Sequence, residues 1–332
     1  MTLNILVVGA GAYGTALALS SLKTGARVTL LARRPEIAEE LSRNRVNQRY
    51  LKDIPLPDTL SISFNPEILH EADLVLLATP AQSMNESIAW LKPFFKTTTP
   101  LVICAKGIHL AGQTLLSDVV RPLVPNPLAI LSGPSFAIEM AQGLPVAVMI
   151  AAQRLGEATE ISHQLRHDRF RCYATDDMIG VQVGGAVKNV IAIASGIVAG
   201  RKLGQSAQAA LLSRGLAEMT RIGLSLGGDR ETFMGLAGVG DLILTGSSMT
   251  SRNYSLGYEI GTGRSLEDIL SERIGVTEGI ATSSAVYQMG KKSSTGNIYT
   301  PIIDAVYRLL HTKVSLEETI DTLLSRQSDA EF

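Results

Sequence analysis

The sequence predicts an α/β amino-terminal half with a doubly wound parallel sheet, followed by an all-α carboxy-terminal domain. Short apolar, β-branched runs alternate with stretches of helical spacing over roughly the first half of the chain. A glycine-rich turn follows the first of these runs. In the second half, strand-like runs nearly vanish and long segments rich in alanine, leucine and isoleucine replace them. A chain of 332 residues is too long for one ordinary core, which favours two domains.

Strands that are buried on both faces of a parallel sheet read as continuous apolar runs. Such runs lie at Ile5–Val8, Val28–Leu31, Leu74–Ala78, Leu101–Cys104, Leu128–Leu131, Val146–Ile150 and Phe170–Ala174. Crossover helices are predicted between most of them, at Gly14–Lys23, Glu36–Asn44, Gln82–Leu91 and Gln113–Val120. The alternation therefore predicts a parallel sheet with helices on both of its faces.

The character of the chain changes near Thr175-Asp176-Asp177, where threonine and aspartate favour the start of a helix. Helices are predicted beyond this point at Met178–Ala199, Ala207–Leu226, Ser265–Glu272, Ala281–Met289, Pro301–Leu310 and Leu316–Ser325. We therefore expect a sheet domain over residues 1–177 and a helical domain over residues 178–332.

Composition restricts the class of partner. The formal net charge is −1, so the chain has no general electrostatic attraction for nucleic acid or anionic lipid. Its two cysteines cannot form a disulfide framework and lack the spacing of metal ligands, and the histidines show no HExxH motif. His163 and His167 could share one helix face, but this pair favours a solvated surface over a metal site. No apolar run reaches the roughly 18 residues of a membrane helix. We expect a soluble, cytoplasmic protein that binds a small molecule, without nucleic acid, membrane insertion or metal.

Three glycines form the motif Gly9-x-Gly11-x-x-Gly14 directly after the first predicted strand. In dinucleotide-binding domains the first glycine permits a tight turn, the second admits the pyrophosphate, and the third lets the helix pack on the strand. The following helix points its N–H groups at the anion. A strand before the motif and a helix and second strand after it favour a Rossmann-like dinucleotide-binding domain. The alternative is a glycine-rich turn that serves packing only.

The second predicted strand ends in Ala32-Arg33-Arg34, where NAD-binding domains usually carry an acid for the ribose 2′-hydroxyl. Two guanidinium groups would instead attract a 2′-phosphate through charge-assisted hydrogen bonds. Arg33 and Arg34 therefore favour NADP, with NAD as the alternative if the arginines belong to a solvated loop.

Two lysines are candidates for proton transfer. Lys106 follows a predicted strand, at the sheet edge where doubly wound folds bind ligands. Lys188 lies in a helix that is apolar on most sides, beside Asn189 and after the pair Gly184-Gly185. Apolar surroundings and a neighbouring cation lower the pKa of a lysine, which would suit a general base. The alternative for Lys188 is a side chain that extends from the helix surface to solvent.

A third cluster of polar residues lies within the glycine- and serine-rich stretch 235–257. It contains Asp241, Thr245, Ser251, Arg252 and Asn253. Arginine and asparagine with neighbouring hydroxyl groups form a natural anion site, and Asp241 could orient a catalytic lysine. The alternative is a polar loop between helices that contains a helix cap.

Several of these stretches match one family in order. They read GAGAYGTALA, CAKGI, LSGPSFAIEM, VGGAVKNVIAIASGI, GLAGVGDLILT, SRNYSLG and VTEGI, and they span residues 9–280. Together they resemble the bacterial-type NAD(P)-dependent glycerol-3-phosphate dehydrogenases. The resemblance implies interconversion of sn-glycerol 3-phosphate and dihydroxyacetone phosphate, and supply of glycerol 3-phosphate for phospholipid synthesis. It leaves a homodimer open.

The resemblance also assigns roles to single residues. It makes Lys188 the proton acceptor and places Lys106 against both substrate and cofactor. The other substrate contacts that it implies are Gly133, Ser135, Asp241, Ser251, Arg252 and Asn253. The other cofactor contacts are Ala12, Tyr13, Arg33, Ala137, Val276 and Glu278, and Arg252 reaches the cofactor as well. Two further interpretations stay open: a related hydroxyacid or ketopantoate-type dehydrogenase, and a non-catalytic module that senses a dinucleotide.

Overall fold

The computed structural model describes residues 2–273, 275–292, 298–312 and 314–324. The strands are β1 Asn4–Val8, β2 Arg27–Leu31, β3 Val46–Asn47, β4 Leu51–Pro55, β5 Leu60–Ser63, β6 Leu74–Leu77, β7 Leu101–Ile103, β8 Leu128–Ser132, β9 Val146–Ala152 and β10 Phe170–Thr175. The helices of the first half are α1 Ala12–Leu22, α2 Pro35–Asn44, α3 Met84–Leu91, α4 Leu116–Val120, α5 Ala137–Ala141 and α6 Leu155–Leu165.

The helices of the second half follow without an intervening strand in the described residues. They are α7 Met178–Gly200, α8 Gln205–Ser225, α9 Arg230–Met234, α10 Asp241–Gly246, α11 Arg252–Gly261, α12 Leu266–Glu272, α13 Glu278–Lys292, α14 Pro301–His311 and α15 Leu316–Leu324. The α/β plus all-α prediction is confirmed. Ser325, the last residue of one predicted helix, lies outside the described residues.

The chain divides into two compact units. The first comprises Met1–Lys106 and Leu115–Gln182, and the second comprises Gly107–Thr114 and Val183–Phe332. The division falls within α7. The predicted boundary between a dinucleotide-binding domain over residues 1–177 and a helical substrate domain over residues 178–332 stays a prediction.

The first unit contains an eight-stranded sheet in the order β10-β9-β8-β7-β6-β1-β2-β5. Strand β1 pairs in parallel with β2 on one side and with β6 on the other. Because these strands run in the same direction, the turns that follow them lie at one edge of the sheet, where doubly wound folds bind ligands.

The expectation of a fully parallel sheet is wrong at one pair, since β9 runs antiparallel to β8. The connection between them contains only the five-residue helix α5, and α5 packs against α1. A parallel connection requires a crossover that returns the chain to the starting edge of the sheet, usually through a full α-helix. Strand β10 then pairs in parallel with β9.

Some elements carried no clear sequence signal. Strand β5 is the outer strand beside β2, and its half-exposed LSIS lacks a continuous apolar run. The predicted helix Gln113–Val120 begins later, at Leu116, because Gln113 has a left-handed φ of 49° that a right-handed helix excludes. The hairpin β3–β4 is also absent from the prediction.

Helix α7 dominates the core of the second half. By length and composition it is the one helix within the described residues that could span a membrane, and 94% of its most apolar window is buried in the protein. The expectation that no segment reaches that length is therefore corrected. The core helix of a folded domain meets the same criteria, because burial in protein and burial in lipid select the same side chains.

The two cysteines are free. Cys104 is 1% exposed, which confirms the prediction of a small buried hydrophobe. Burial raises the pKa of its thiol well above the ordinary value, against the opposing charge of Lys106. Burial also raises the pKa of Cys172, to about 12. Both thiols are therefore protonated at neutral pH.

Candidate functional site

The glycine turn of the first unit connects β1 to α1. Gly9 has a φ of 109°, and a Cβ added there would lie 2.9 Å from the Ala78 carbonyl oxygen. A Cβ added at Gly14 would lie 1.9 Å from the Gly9 carbonyl oxygen. The turn and the contact between helix and strand therefore both require glycine, as predicted for the first and third positions of the motif.

Gly11 differs from its two partners. Its φ of −78° is open to any residue, and an added Cβ would meet no described heavy atom within 4 Å. The fold therefore does not explain this glycine, whereas the close approach of a ligand would. Gly11 is the N-cap of α1, and the described first turn of this helix carries no acidic side chain. Its N–H groups thus suit a pyrophosphate, so the turn fits a dinucleotide.

Arg33 and Arg34 follow β2 and are both exposed. Arg33 pairs with Glu86 at 3.3 Å, with 62% and 69% of the two side chains exposed. Arg34 lies 3.7 Å from Glu36. Such surface pairs contribute roughly 0–1 kcal/mol, so an incoming phosphate could replace them. Glu86 was missed because it lies on α3, far along the sequence. It places an acid beside the arginines, so the local charge suits either dinucleotide.

Lys106, Gly133, Ser135 and Tyr13 form one network in the first unit. The Lys106 amine donates to the Gly133 carbonyl oxygen at 2.7 Å. The Ser135 hydroxyl donates to the same oxygen at 3.0 Å, and the Tyr13 hydroxyl lies 3.0 Å from Ser135 Oγ. Ala12 and Ala137 are the first residues of α1 and α5. The structure thus joins the glycine turn to the predicted substrate residues of this unit.

Lys188 lies in the second unit, and its amine contacts two buried side chains of α10. The residue is 5% exposed, and the amine donates to Asp241 Oδ1 at 2.5 Å and to Thr245 Oγ1 at 2.7 Å. Asp241 and Thr245 are 1% and 3% exposed. The alternative of a lysine that extends to solvent is therefore wrong. Burial disfavours the ammonium form, while the carboxylate at 2.5 Å favours it.

Backbone packing brings these three side chains together. A Cβ added at Gly184 would lie 2.3 Å from the Ala237 carbonyl oxygen, so α7 can approach residue 237 only with glycine there. Ala237 belongs to a π-helical turn, Leu236–Gly240, which leads directly into α10. Asp241 and Thr245 are one helical turn apart on α10 and share a face. The expectation of a close contact beside the glycine pair is confirmed at Gly184.

The segment Ser251-Arg252-Asn253 begins α11. The Ser251 hydroxyl accepts from Tyr254 N at 3.2 Å and caps the helix, as the helix-cap alternative predicted. Arg252 is exposed in the first turn. Asn253 is 8% exposed and donates from Nδ2 to Asn189 Oδ1 at 2.9 Å. The rest of the stretch is mostly helical, so the description as a polar loop is wrong for α10 and α11.

The VTEGI segment forms a hydrogen bond with Asn253. Asn253 Oδ1 accepts from Gly279 N at 3.0 Å, in the first turn of α13. Glu278 is the first residue of α13, and Val276 is 44% exposed just before it. Asn189 was not among the predicted site residues, although it adjoins Lys188 in the sequence. Only its contact with Asn253, 64 residues away, shows that it joins the two segments.

Two family models match nearly the whole chain. The model described as NAD-dependent glycerol-3-phosphate dehydrogenase N-terminus matches residues 4–158, and the corresponding C-terminus model matches residues 177–321. The chain belongs to this family.

Full-length relatives in the glycerol-3-phosphate dehydrogenase family agree with this assignment. A Maricaulis maris protein named glycerol-3-phosphate dehydrogenase (NAD(P)+) is 43% identical over 324 residues, which cover 97% of this chain and 96% of the relative. The protein of the same name from Brucella canis is 44% identical, with 98% of each chain covered. The crystal structure of glycerol-3-phosphate dehydrogenase from Coxiella burnetii is 36% identical, with a TM-score of 0.93 and coverage of 98% and 99%.

Membership of the glycerol-3-phosphate dehydrogenase family confirms the resemblance, the fold class and the prediction of an NAD(P)-dependent oxidoreductase. It leaves the roles of single residues as proposals. Those residues form two sets. One lies around the glycine turn and Lys106 in the first unit, and the other lies around Lys188 in the second unit.

Proposed function

We propose that the protein interconverts sn-glycerol 3-phosphate and dihydroxyacetone phosphate by hydride transfer with NAD(P), and that Lys188 moves the proton of the C2 oxygen. The observation that carries the proposal is the buried Lys188 amine, held by Asp241 and Thr245 in a chain of this family. A lone buried amine would be costly, and a family that reduces a ketone gives it a chemical use.

The dinucleotide would be held first by the glycine turn, through Gly9, Gly11, Ala12, Tyr13 and Gly14. When bound, its nicotinamide accepts or gives the hydride at C4. We assign further contacts to Lys106, Ala137, Arg252, Val276 and Glu278. Arg33 and Arg34 support a preference for NADP, because each could form charge-assisted bonds to a 2′-phosphate, and Glu86 beside them supports NAD as the alternative.

The substrate would be held by polar side chains and by the backbone of one glycine. We assign it to Lys106, Gly133, Ser135, Lys188, Asp241, Thr245, Ser251, Arg252 and Asn253. The exposed guanidinium of Arg252 suits the phosphate, since it binds two oxygens at once. Binding energy from that remote phosphate can position the reacting carbon.

Lys188 would act in both directions. As a neutral amine it accepts the proton of the C2 hydroxyl while the hydride leaves C2. As an ammonium it polarises the ketone oxygen and then protonates it. Asp241 orients the amine and stabilises its charged form, and Thr245 fixes the direction of a second N–H bond.

The cellular role follows from the product. We propose that the enzyme works in the cytoplasm and supplies glycerol 3-phosphate for phospholipid synthesis. We also propose that a dinucleotide-binding domain ends at residue 177 and that a helical substrate domain begins at residue 178. We propose a homodimer, which light scattering would test.

Steady-state kinetics test the proposal. Oxidation of NADPH and of NADH is followed in parallel with dihydroxyacetone phosphate, ketopantoate and other 2-keto acids. We expect turnover with dihydroxyacetone phosphate and a larger kcat/KM with NADPH than with NADH. Turnover with 2-keto acids alone would instead support the hydroxyacid or ketopantoate-type alternative. Cofactor binding without turnover of any triose phosphate would support a dinucleotide sensor.

A further inference from the structure

Tyr13 occupies the glycine turn between Gly11 and Gly14, yet two of its contacts lie on the substrate residues of the same unit. Its hydroxyl is 3.0 Å from Ser135 Oγ, and its ring faces the Lys106 amine at 5.8 Å from the ring centroid. The first contact is a hydrogen-bond distance, and the second lies within the range of a cation–π interaction. One side chain thus touches the two polar groups that we assign to the substrate in this unit.

The direction of the hydrogen bonds follows from proton counting. A serine hydroxyl carries one proton, and that of Ser135 is donated to the Gly133 carbonyl oxygen at 3.0 Å. The Tyr13 hydroxyl must therefore donate to Ser135 Oγ. The Gly133 oxygen also accepts from Lys106 at 2.7 Å, so both of its lone pairs are engaged. The hydrogen bonds therefore run from Tyr13 to Ser135 and from Ser135 to Gly133, and Lys106 donates to the same Gly133 oxygen.

The anchor of this chain is fixed by the backbone. Gly133 has a φ of 138°, and a Cβ added there would lie 2.9 Å from the Val148 Cα. The Gly133 carbonyl therefore has little freedom to rotate or shift. Ser135 is 7% exposed, so its hydroxyl has few alternative partners. Ser135 and Lys106 thus each contact both Gly133 and Tyr13.

We propose that Tyr13 is a positioning residue that couples the dinucleotide-binding turn to the substrate contacts Ser135 and Lys106. Any shift of the turn on dinucleotide binding moves a side chain that is hydrogen-bonded to Ser135 and whose ring faces the Lys106 amine. The dinucleotide thereby sets the geometry in which the phosphorylated substrate is received. The inference rests on the proposed function. It adds a role for the Tyr13 hydroxyl, because a residue that only contacted the cofactor would not require a hydrogen bond to Ser135.

The variant Tyr13→Phe removes only the hydroxyl and keeps the ring. We expect the KM for dihydroxyacetone phosphate to rise about fivefold, the range of one net hydrogen bond. The Kd for NADPH, measured by fluorescence titration without substrate, should stay within twofold of that of the wild type. Ser135→Ala should raise the same KM, and the double variant should be no worse than Ser135→Ala, because both changes break one chain of bonds. Tyr173→Phe is the matched control, since Tyr173 lies half-exposed on β10.

Three results would overturn the inference. One is an unchanged KM for dihydroxyacetone phosphate in Tyr13→Phe. Another is a rise in the Kd for NADPH without a rise in that KM, which would make Tyr13 a cofactor contact only. A third is a double variant whose effect is the product of the two single effects. A wild-type enzyme that does not turn over dihydroxyacetone phosphate would refute the proposed function, and this inference with it.

Discussion

At the scale of single residues, the site depends on one buried amine and on the carboxylate and hydroxyl that it contacts. Lys188, Asp241 and Thr245 are each at most 5% exposed. Removing one partner of a buried ion pair leaves an uncompensated charge, which costs about 3–5 kcal/mol. The position of the lysine therefore depends on its carboxylate as much as on its own helix.

Asp241→Asn should lower kcat about 100-fold, because the amide keeps the shape of the carboxylate and loses the charge that stabilises the ammonium of Lys188. The Kd for NADPH should not change. Steady-state kinetics with dihydroxyacetone phosphate and a cofactor titration check both expectations. Asp53→Asn, an exposed aspartate on β4, is the control. A kcat close to that of the wild type would contradict the role of Asp241.

Gly11→Ala should fold as the wild type does and lose dinucleotide affinity by at least about tenfold, because the added Cβ meets no described protein atom and would instead occupy the approach of the pyrophosphate. The measurements are the Tm without ligand and the Kd for NADPH. Gly156→Ala on α6 is the control, as its Cβ is equally free of described neighbours. An unchanged Kd would mean that the phosphates bind elsewhere.

At the scale of elements, the six-residue helix α10 carries Asp241 and Thr245, which both contact Lys188, and it is held at each end. Its start follows the π-helical turn that contacts Gly184, and the carbonyl of its last residue, Gly246, accepts from Ser195 Oγ at 2.6 Å. Ser195 lies two turns beyond Lys188 on α7, so one helix presents the lysine and also fixes its partners.

Gly184→Ala should therefore lower both stability and activity. The added Cβ, 2.3 Å from the Ala237 oxygen, must push the π-helical turn away from α7 and shift Asp241. We expect a loss of about 1–3 kcal/mol in the free energy of unfolding and a lower kcat. Gly290→Ala on α13 is the control. Its Cβ meets no described atom, so it should raise stability by up to about 1 kcal/mol. Equal stability of the two variants would contradict the close contact.

The helices and strands themselves were largely readable from the sequence. Periodicity predicted the strands flanking the glycine turn and the long helices of the second half. It did not predict β5, whose residues are half exposed, or α10 and α11, whose glycines and hydroxyl residues resemble a loop. The antiparallel pairing of β8 and β9 depends on where α5 packs, which no local pattern records.

At the scale of the whole molecule, the sequence predicted which residues belong to the candidate site better than it predicted which of them contact one another. Motif spacing selected Lys106, Lys188, Asp241 and Arg252. It could not show that Glu86 faces Arg33 or that Asn189 binds Asn253, because those contacts join residues 53 and 64 positions apart. Tertiary packing creates such pairs. It also buries α7, an apolar helix of membrane-spanning length, and this helix carries Lys188.

The central claim is that Lys188 moves the proton during reduction of dihydroxyacetone phosphate. The most direct measurement is a single-turnover reaction, in which enzyme loaded with NADPH is mixed with dihydroxyacetone phosphate and NADPH absorbance is followed. For Lys188→Ala we expect a rate at least about 100-fold below that of the wild type, with the Kd for NADPH within twofold. Lys52→Ala, an exposed lysine on β4, should match the wild type. A Lys188→Ala rate near that of the wild type would contradict the account.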